Sequence, residues 1–296
     1  KVSEIIFSIH NIEQKKLREL VDHLVDLPVN VKIVPPVEDW INGELKASQI
    51  KPIQIEDLLE RVPISIANKQ VRQELDGKNI LVTGGAGYIG AHACKAIAQA
   101  GYLPVVYDNL VYGHRRAVQW GPLEGGDIGD DQRLEAVLQK YRPEAVMHFA
   151  AHTIVPESVA DPLKYYRNNT CSSRNLLQCA LDGGVEHFVF SSTAAVYGIP
   201  DGEYCTEDSP LSPINPYGTS KLMSEWMLRD LSAATALRHV VLRYFNVAGS
   251  APDGRVGQST QKATLLIKVA AEVAVGKREQ IYIFGTDYPT PDGTGV

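Results

Sequence analysis

The stretch that most limits what this chain can fold into is Asn79–Gly90, NILVTGGAGYIG, where an apolar, β-rich run passes directly into seven residues containing four glycines. A strand that empties into such a loop and then into a helical pattern opens a β-α-β unit. The apolar runs Leu103–Tyr107, Ala145–Phe149, Phe188–Ser192 and His239–Tyr244 repeat the theme. Such near-continuous apolar runs are what strands covered on both faces require. Helical patterns over Ala91–Ala100, Asp131–Tyr141, Asn169–Asp182 and Pro216–Leu231 fill the gaps.

The alternation predicts an α/β fold, a Rossmann-type doubly wound parallel sheet. Within the loop, Gly84 permits the tight turn, Gly87 lets backbone approach a pyrophosphate, and Gly90 lets the helix pack close. The helix N-terminus then offers unpaired N–H groups to phosphates. An ordinary strand-to-helix turn could carry the same glycines. What favours a dinucleotide is Asp108, at the end of the second strand and 18 residues past Gly90, where a carboxylate can accept both ribose hydroxyls. That carboxylate repels a 2′-phosphate, which selects NAD over NADP. Arg115 and Arg116 follow nearby, and the solvated start of a helix is a simpler reading of them than phosphate ligands.

The Gly-x-x-Gly-x-x-Gly spacing resembles the extended short-chain dehydrogenase/reductase superfamily, and its other landmarks follow in order: Gly126-Asp127-Ile128, His148-Phe149-Ala150-Ala151, Phe190-Ser191-Ser192-Thr193 and Tyr217-Gly218-Thr219-Ser220-Lys221. With 13 tyrosines a chance Tyr-x-x-x-Lys match is easy, and its place after Ser192-Thr193 gives it weight. Residues i and i+4 share a helix face, so Lys221 is expected beneath Tyr217, reaching the nicotinamide ribose and lowering the phenol toward the working pH of a general base. Thr193 is expected to bond the reacting sugar hydroxyl.

Residues 78–296 further resemble the UDP-glucose 4-epimerases, through TGGAGYIG, DNL, GDI, HFAA, PESV, FSSTAAVYG, NPYGTSK, RYFNVAGS and above all FGTDYPTPDGTGV. The resemblance implies NAD contacts from Gly84, Gly87, Tyr88, Ile89, Gly90, Asp108, Asn109, Leu110, Gly113, Asp127, Ile128, Phe149, Ala150, Ala151, Thr153, Asn169 and Phe245, with Tyr217 and Lys221. It implies UDP-sugar contacts from Thr193, Tyr217, Asn246 and a strand holding Tyr282, Ile283 and Phe284. The implied reaction is inversion at carbon 4 through a 4-keto sugar, with Tyr217, Lys221 and Thr193 as the catalytic residues. A nucleotide-sugar 4,6-dehydratase shares the first half-reaction but needs acidic residues after Thr193, where Ala194 and Ala195 stand. A non-catalytic NAD-binding fragment is the alternative of another class.

The epimerase pattern runs on past Val296, so the C-terminal substrate lobe is expected to be incomplete, and Leu265 replaces a polar uridine-side contact. Residues 1–77 differ in texture. A strand at Ser3–Ser8, a helix at Ile12–Leu27 and a strand at Val29–Val34 suggest a partial α/β segment, too small to cover both faces of a sheet and so packed on the rest or poorly ordered. Residues 46–77, with a short helix at Ile55–Arg61 and breaks at Pro52 and Pro63, read as a connector. VKIVPPVEDWINGE, IKPIQIEDLLERVPI and VRQELDGKNILVTG resemble the linker region of capsule-type (CapD-like) nucleotide-sugar dehydratases. The absence of a starting Met suggests a fragment.

A net charge of −6 without a basic run argues against nucleic acid. Four cysteines without paired spacing predict neither a metal site nor a disulfide framework, but reduced, mostly packing residues in a cytoplasmic protein. No apolar run approaches the roughly 20 residues that span a bilayer. A homodimer is implied by the resemblance, built on the helix bearing Tyr217 and its neighbour.

Overall fold

The computed structural model describes residues 2–8, 12, 14–24, 27–35, 44–53, 77–200, 202, 205–260, 264–283, 285–288 and 293. Ile55–Arg61 and Phe284 lie outside them. The chain divides into two compact units, Lys1–Asn68 and Lys69–Val296.

In the first unit, β1 (Glu4–Phe7) and β2 (Asn30–Ile33) pair in parallel around α1 (Gln14–Asp22). A short β3 (Lys51–Pro52) adds antiparallel to β2 inside the expected connector. Pro52 therefore ends the sheet as an edge residue, a place where its missing N–H costs no ladder bond. Leu17 and Val21, one helical turn apart, are buried, while Ile6 remains 46% exposed.

The second unit carries six parallel strands in the order β6-β5-β4-β7-β8-β9. They are β4 (Asn79–Thr83), β5 (Leu103–Asp108), β6 (Leu123–Gly125), β7 (Ala145–His148), β8 (His187–Ser191) and β9 (Arg238–Leu242). This is the classic dinucleotide-fold order, with the direction of winding reversing beside β4. The short edge strand β6 was not separable by sequence pattern from its loop. Crossovers are α2 (Tyr88–Gln99), α3 (Asp131–Tyr141), α6 (Ser172–Asp182) and α7 (Pro216–Ala234). Between β7 and α6 run the short helices α4 (Val155–Ala160) and α5 (Pro162–Tyr165) and a π-helical turn, Tyr166–Cys171, in place of the helix start expected at Asn169.

Alternation along the strands feeds two cores. Leu81, Val105, Val146 and Phe188 pack with Leu134, Leu176 and Leu228 from α3, α6 and α7. Val82 and Val106 pack with Cys94 and Ile97 from α2. Cys94 and Cys179 are buried thiols, whereas Cys171 is exposed and is not a packing residue. The edge strand β9 leaves Val240 and Leu242 partly in solvent, and α8 (Leu266–Ala274) buries no residue.

Candidate functional site

The strand ends that the winding brings together carry the site. Gly84 leaves β4 at φ +71°, and a Cβ there would stand 2.6 Å from the Ala150 nitrogen at the exit of β7. A Cβ on Gly90 would stand 2.2 Å from the Gly84 carbonyl oxygen. Loop, strand exit and α2 thus meet backbone to backbone; the Gly87 amide donates to Gly84 O at 3.0 Å, which leaves the Tyr88 and Ile89 amides at the helix N-terminus. Gly113 packs equally close on Ala86.

Asp108 is buried at the end of β5. Its two carboxylate oxygens accept from Ala86 N at 3.0 Å and Leu110 N at 2.7 Å, tying the glycine loop to the next turn. Burial raises its pKa, and the two amide bonds oppose that rise. Each oxygen keeps acceptor capacity for a ribose hydroxyl. Beyond it, Asn109 Nδ2 donates to Asp127 Oδ2 at 2.8 Å, joining two of the expected adenosine contacts. Ile128 is 5% exposed and belongs to the main core. Arg115 and Arg116 form an exposed turn.

Asn169 is bonded from within the chain. Its Oδ1 accepts from His152 N and Asn168 Nδ2 at 2.9 Å each, and its Nδ2 donates to His152 O at 3.0 Å and Ser220 Oγ at 3.1 Å. With the amide filled from within the chain, it fastens the Ala150–Thr153 wall to α7. His148 is buried between Thr83 Oγ1 at 2.7 Å and Ser173 Oγ at 2.9 Å, and burial holds its pKa down at about 3.

Tyr217, Lys221 and Thr193 converge where β8 ends. Asn215 caps α7 by accepting from Gly218 N at 2.8 Å, with Pro216 preset in the first turn. That cap fixes the start of the helix that carries Tyr217 and Lys221 four residues apart. Burial raises the Tyr217 phenol, and the hydrogen bond with Thr193 acts against it. The expected lowering by Lys221 is not found in the chain alone: Lys221 Nζ donates to Ser191 O at 2.9 Å and lies 4.8 Å from the Phe190 ring centre. Burial lowers Lys221 itself to about 7, with Glu225 opposing.

Sequence reasoning missed Glu225 and Arg243, a buried carboxylate and a half-buried guanidinium joined by Arg243 Nη2 to Glu225 Oε2 at 2.6 Å. The available signal was a Glu four residues after Lys221 on the buried face of α7. Not brought into this cluster are Phe245, 79% exposed, and the exposed Asn246. Tyr282 and Ile283 lie in an irregular exposed segment rather than the expected strand, since no described strand pairs with them.

The sequence pattern of the NAD dependent epimerase/dehydratase family matches residues 80–295. The chain is 56% identical over 218 residues to a UDP-glucose 4-epimerase of Azospirillum brasilense, covering 73% of this chain and 63% of that protein. It is 50% identical over 222 residues to one of Rhizobium meliloti (strain 1021), covering 75% and 68%. Among solved structures it is similar to UDP-glucose 4-epimerase from Brucella ovis in complex with NAD (TM-score 0.70, 47% identity, 73% of this chain and 66% of that one). It is also similar to the Bifidobacterium longum enzyme in complex with NAD+ and UDP (TM-score 0.71, 37% identity, 74% and 68%). The chain thus spans just under two thirds of the Azospirillum and Brucella proteins.

Proposed function

Since the chain belongs to the NAD dependent epimerase/dehydratase family, we propose that residues 78–296 are a domain that binds NAD and inverts carbon 4 of a UDP-hexose, interconverting UDP-glucose and UDP-galactose. The observation that carries this reading is the meeting of Tyr217, Thr193 and Lys221 at the end of β8, together with a glycine loop packed backbone to backbone on the exit of β7.

The residues present fit NAD. The close packing at Gly84 and Gly90 leaves backbone amides for the diphosphate, and Asp108 retains acceptor capacity for the adenosine ribose. When bound, NAD supplies reversible hydride removal from carbon 4 and return to the opposite face of the 4-keto sugar. Tyr217 takes and returns the 4-hydroxyl proton. Thr193 holds that hydroxyl against the phenol, and the Lys221 charge, at the same strand end, favours the phenolate. Because burial keeps the phenol protonated in the chain alone, the base is poised by its ligands.

Residues 1–77 form a separate partial α/β segment in this reading. Among the described residues no helix is long and apolar enough to cross a membrane, and free thiols at Cys94 and Cys179 suit a reducing, cytoplasmic setting. Trp226, 45% exposed on α7, supports a homodimer built on that helix; light scattering on the purified chain tests it. The activity is tested by converting UDP-galactose to UDP-glucose, read with a coupled dehydrogenase, beside Tyr217→Phe. Full activity in that variant refutes the assignment.

A further inference from the structure

The charged pair behind the catalytic cluster has no part in the chemistry above. Glu225 is 5% exposed on α7, one turn beyond Lys221. Arg243, just past β9, reaches it through Nε at 3.2 and 3.1 Å and Nη2 at 2.6 Å, and donates from Nη1 to Tyr197 OH at 3.1 Å. The remaining partner of Glu225 is Ser192, whose hydroxyl donates to its Oε1. Ser192 lies between the two residues on which the cluster depends. The Ser191 carbonyl takes the Lys221 ammonium, and Thr193 bonds Tyr217. A buried ion pair is weak evidence for stability, since desolvation offsets much of the attraction. Its location at this one strand exit therefore calls for another role.

We propose that Glu225, clamped by Arg243, is a positioning residue: it holds Ser192 so that Ser191 and Thr193 present Lys221 and Tyr217 to the reacting sugar in one fixed geometry. The inference rests on the function proposed above. It also gives the buried Lys221 its nearest compensating charge. Facing Lys221 are Glu225 from its own helix, His148 from β7, and the Ser191 carbonyl and Phe190 ring from β8, while Arg243 and Tyr244 close the site from beyond β9. Of these, the carboxylate raises Lys221.

Ser192→Ala removes the hydroxyl bridge and leaves the ion pair intact, so it is the variant least exposed to misfolding. Its kcat should fall about tenfold and that of Glu225→Gln about a hundredfold, both with KM for UDP-galactose within about twofold, because misplacement acts on the transition state. Glu225→Asp should recover part of the loss. A second readout is NAD affinity against pH, followed by tryptophan fluorescence. Glu225→Gln should move its alkaline fall to lower pH, and Glu225→Asp should restore it, which a packing role would not do. If Glu225→Gln fails to fold, Glu225→Gln with Arg243→Gln keeps the contact without either charge and should show the same kcat loss and pH shift. Variants that match the parent in kcat and in the pH dependence of NAD affinity overturn the proposal. Should the parent bind NAD but turn over no UDP-hexose, the activity reading falls while the affinity profile still decides this one.

Discussion

The two halves of the site are built to different standards. On the coenzyme side, Gly84, Asp108, His148 and Asn169 are fixed by backbone contact or by hydrogen bonds that leave few of their polar atoms free. In the segments after β9, the expected NAD contact Phe245 and the expected sugar contacts Tyr282 and Ile283 are 79%, 65% and 73% exposed. The difference follows from topology. Parallel strands buried on both faces converge at their C-terminal ends and hold whatever leaves them, whereas among the described residues no strand follows β9 to fix the later segments. In the function proposed above, coenzyme binding draws on pre-organised groups, while sugar binding carries the cost of ordering side chains, which lowers affinity for a given contact area.

The comparison breaks most visibly at Tyr217, where both halves meet. Tyr217→Phe should lower kcat by about 10²- to 10⁴-fold, the usual worth of a general base, with NAD affinity unchanged by calorimetry. A parallel loss of NAD would show that the phenol belongs to the coenzyme half. Gly84→Ala should damage that half alone. A φ of +71° and backbone 2.6 Å away leave no room for a methyl group. Strain of this kind costs about 1–3 kcal/mol before the clash is added, visible as a lower denaturation midpoint with weakened NAD binding.

His148 tests the coenzyme half through pH. Its folded pKa of about 3 lies below the ordinary 6.5, so the unfolded chain binds a proton that the folded chain refuses. Its contribution is complete above pH 6.5 and is lost as pH falls from 6.5 toward 3, roughly 5 kcal/mol over that window at 1.36 per unit. His148→Gln, neutral throughout, should be less stable than the parent at pH 8 and close the gap by pH 4 in urea titrations. A gap constant with pH would show that His148 charges while folded.

These contrasts also explain what could be read from sequence. Strands β4, β5, β7, β8 and β9 announce themselves as apolar runs, and Gly84 and Asp108 as a spacing, because local periodicity and backbone sterics set them. β6 is three residues long and shows no period. The filled amide of Asn169, the Lys221 bond to Ser191 and the Glu225–Arg243 pair depend on which strand ends become neighbours, up to 51 residues apart in the case of Asn169 and Ser220. No local pattern contains that. The spacing of Tyr217 after Thr193 is legible in the sequence, but its electrostatics are not, since burial outweighs a lysine already engaged elsewhere.

The smallest effect sharpens the comparison furthest. Phe245 is 79% exposed, so Phe245→Ala removes little buried area, and surface changes of this kind stay within about 0.5 kcal/mol of stability. If the segment after β9 acts apart from the fold, the variant should melt with the parent and bind NAD as the parent does. Its cost should appear only when UDP-galactose arrives, as a KM raised several-fold with kcat nearly constant, the pattern of lost uniform binding. A changed NAD affinity would place Phe245 on the coenzyme, as its resemblance-based assignment holds, and would mean that the exposed segment after β9 closes over both ligands at once.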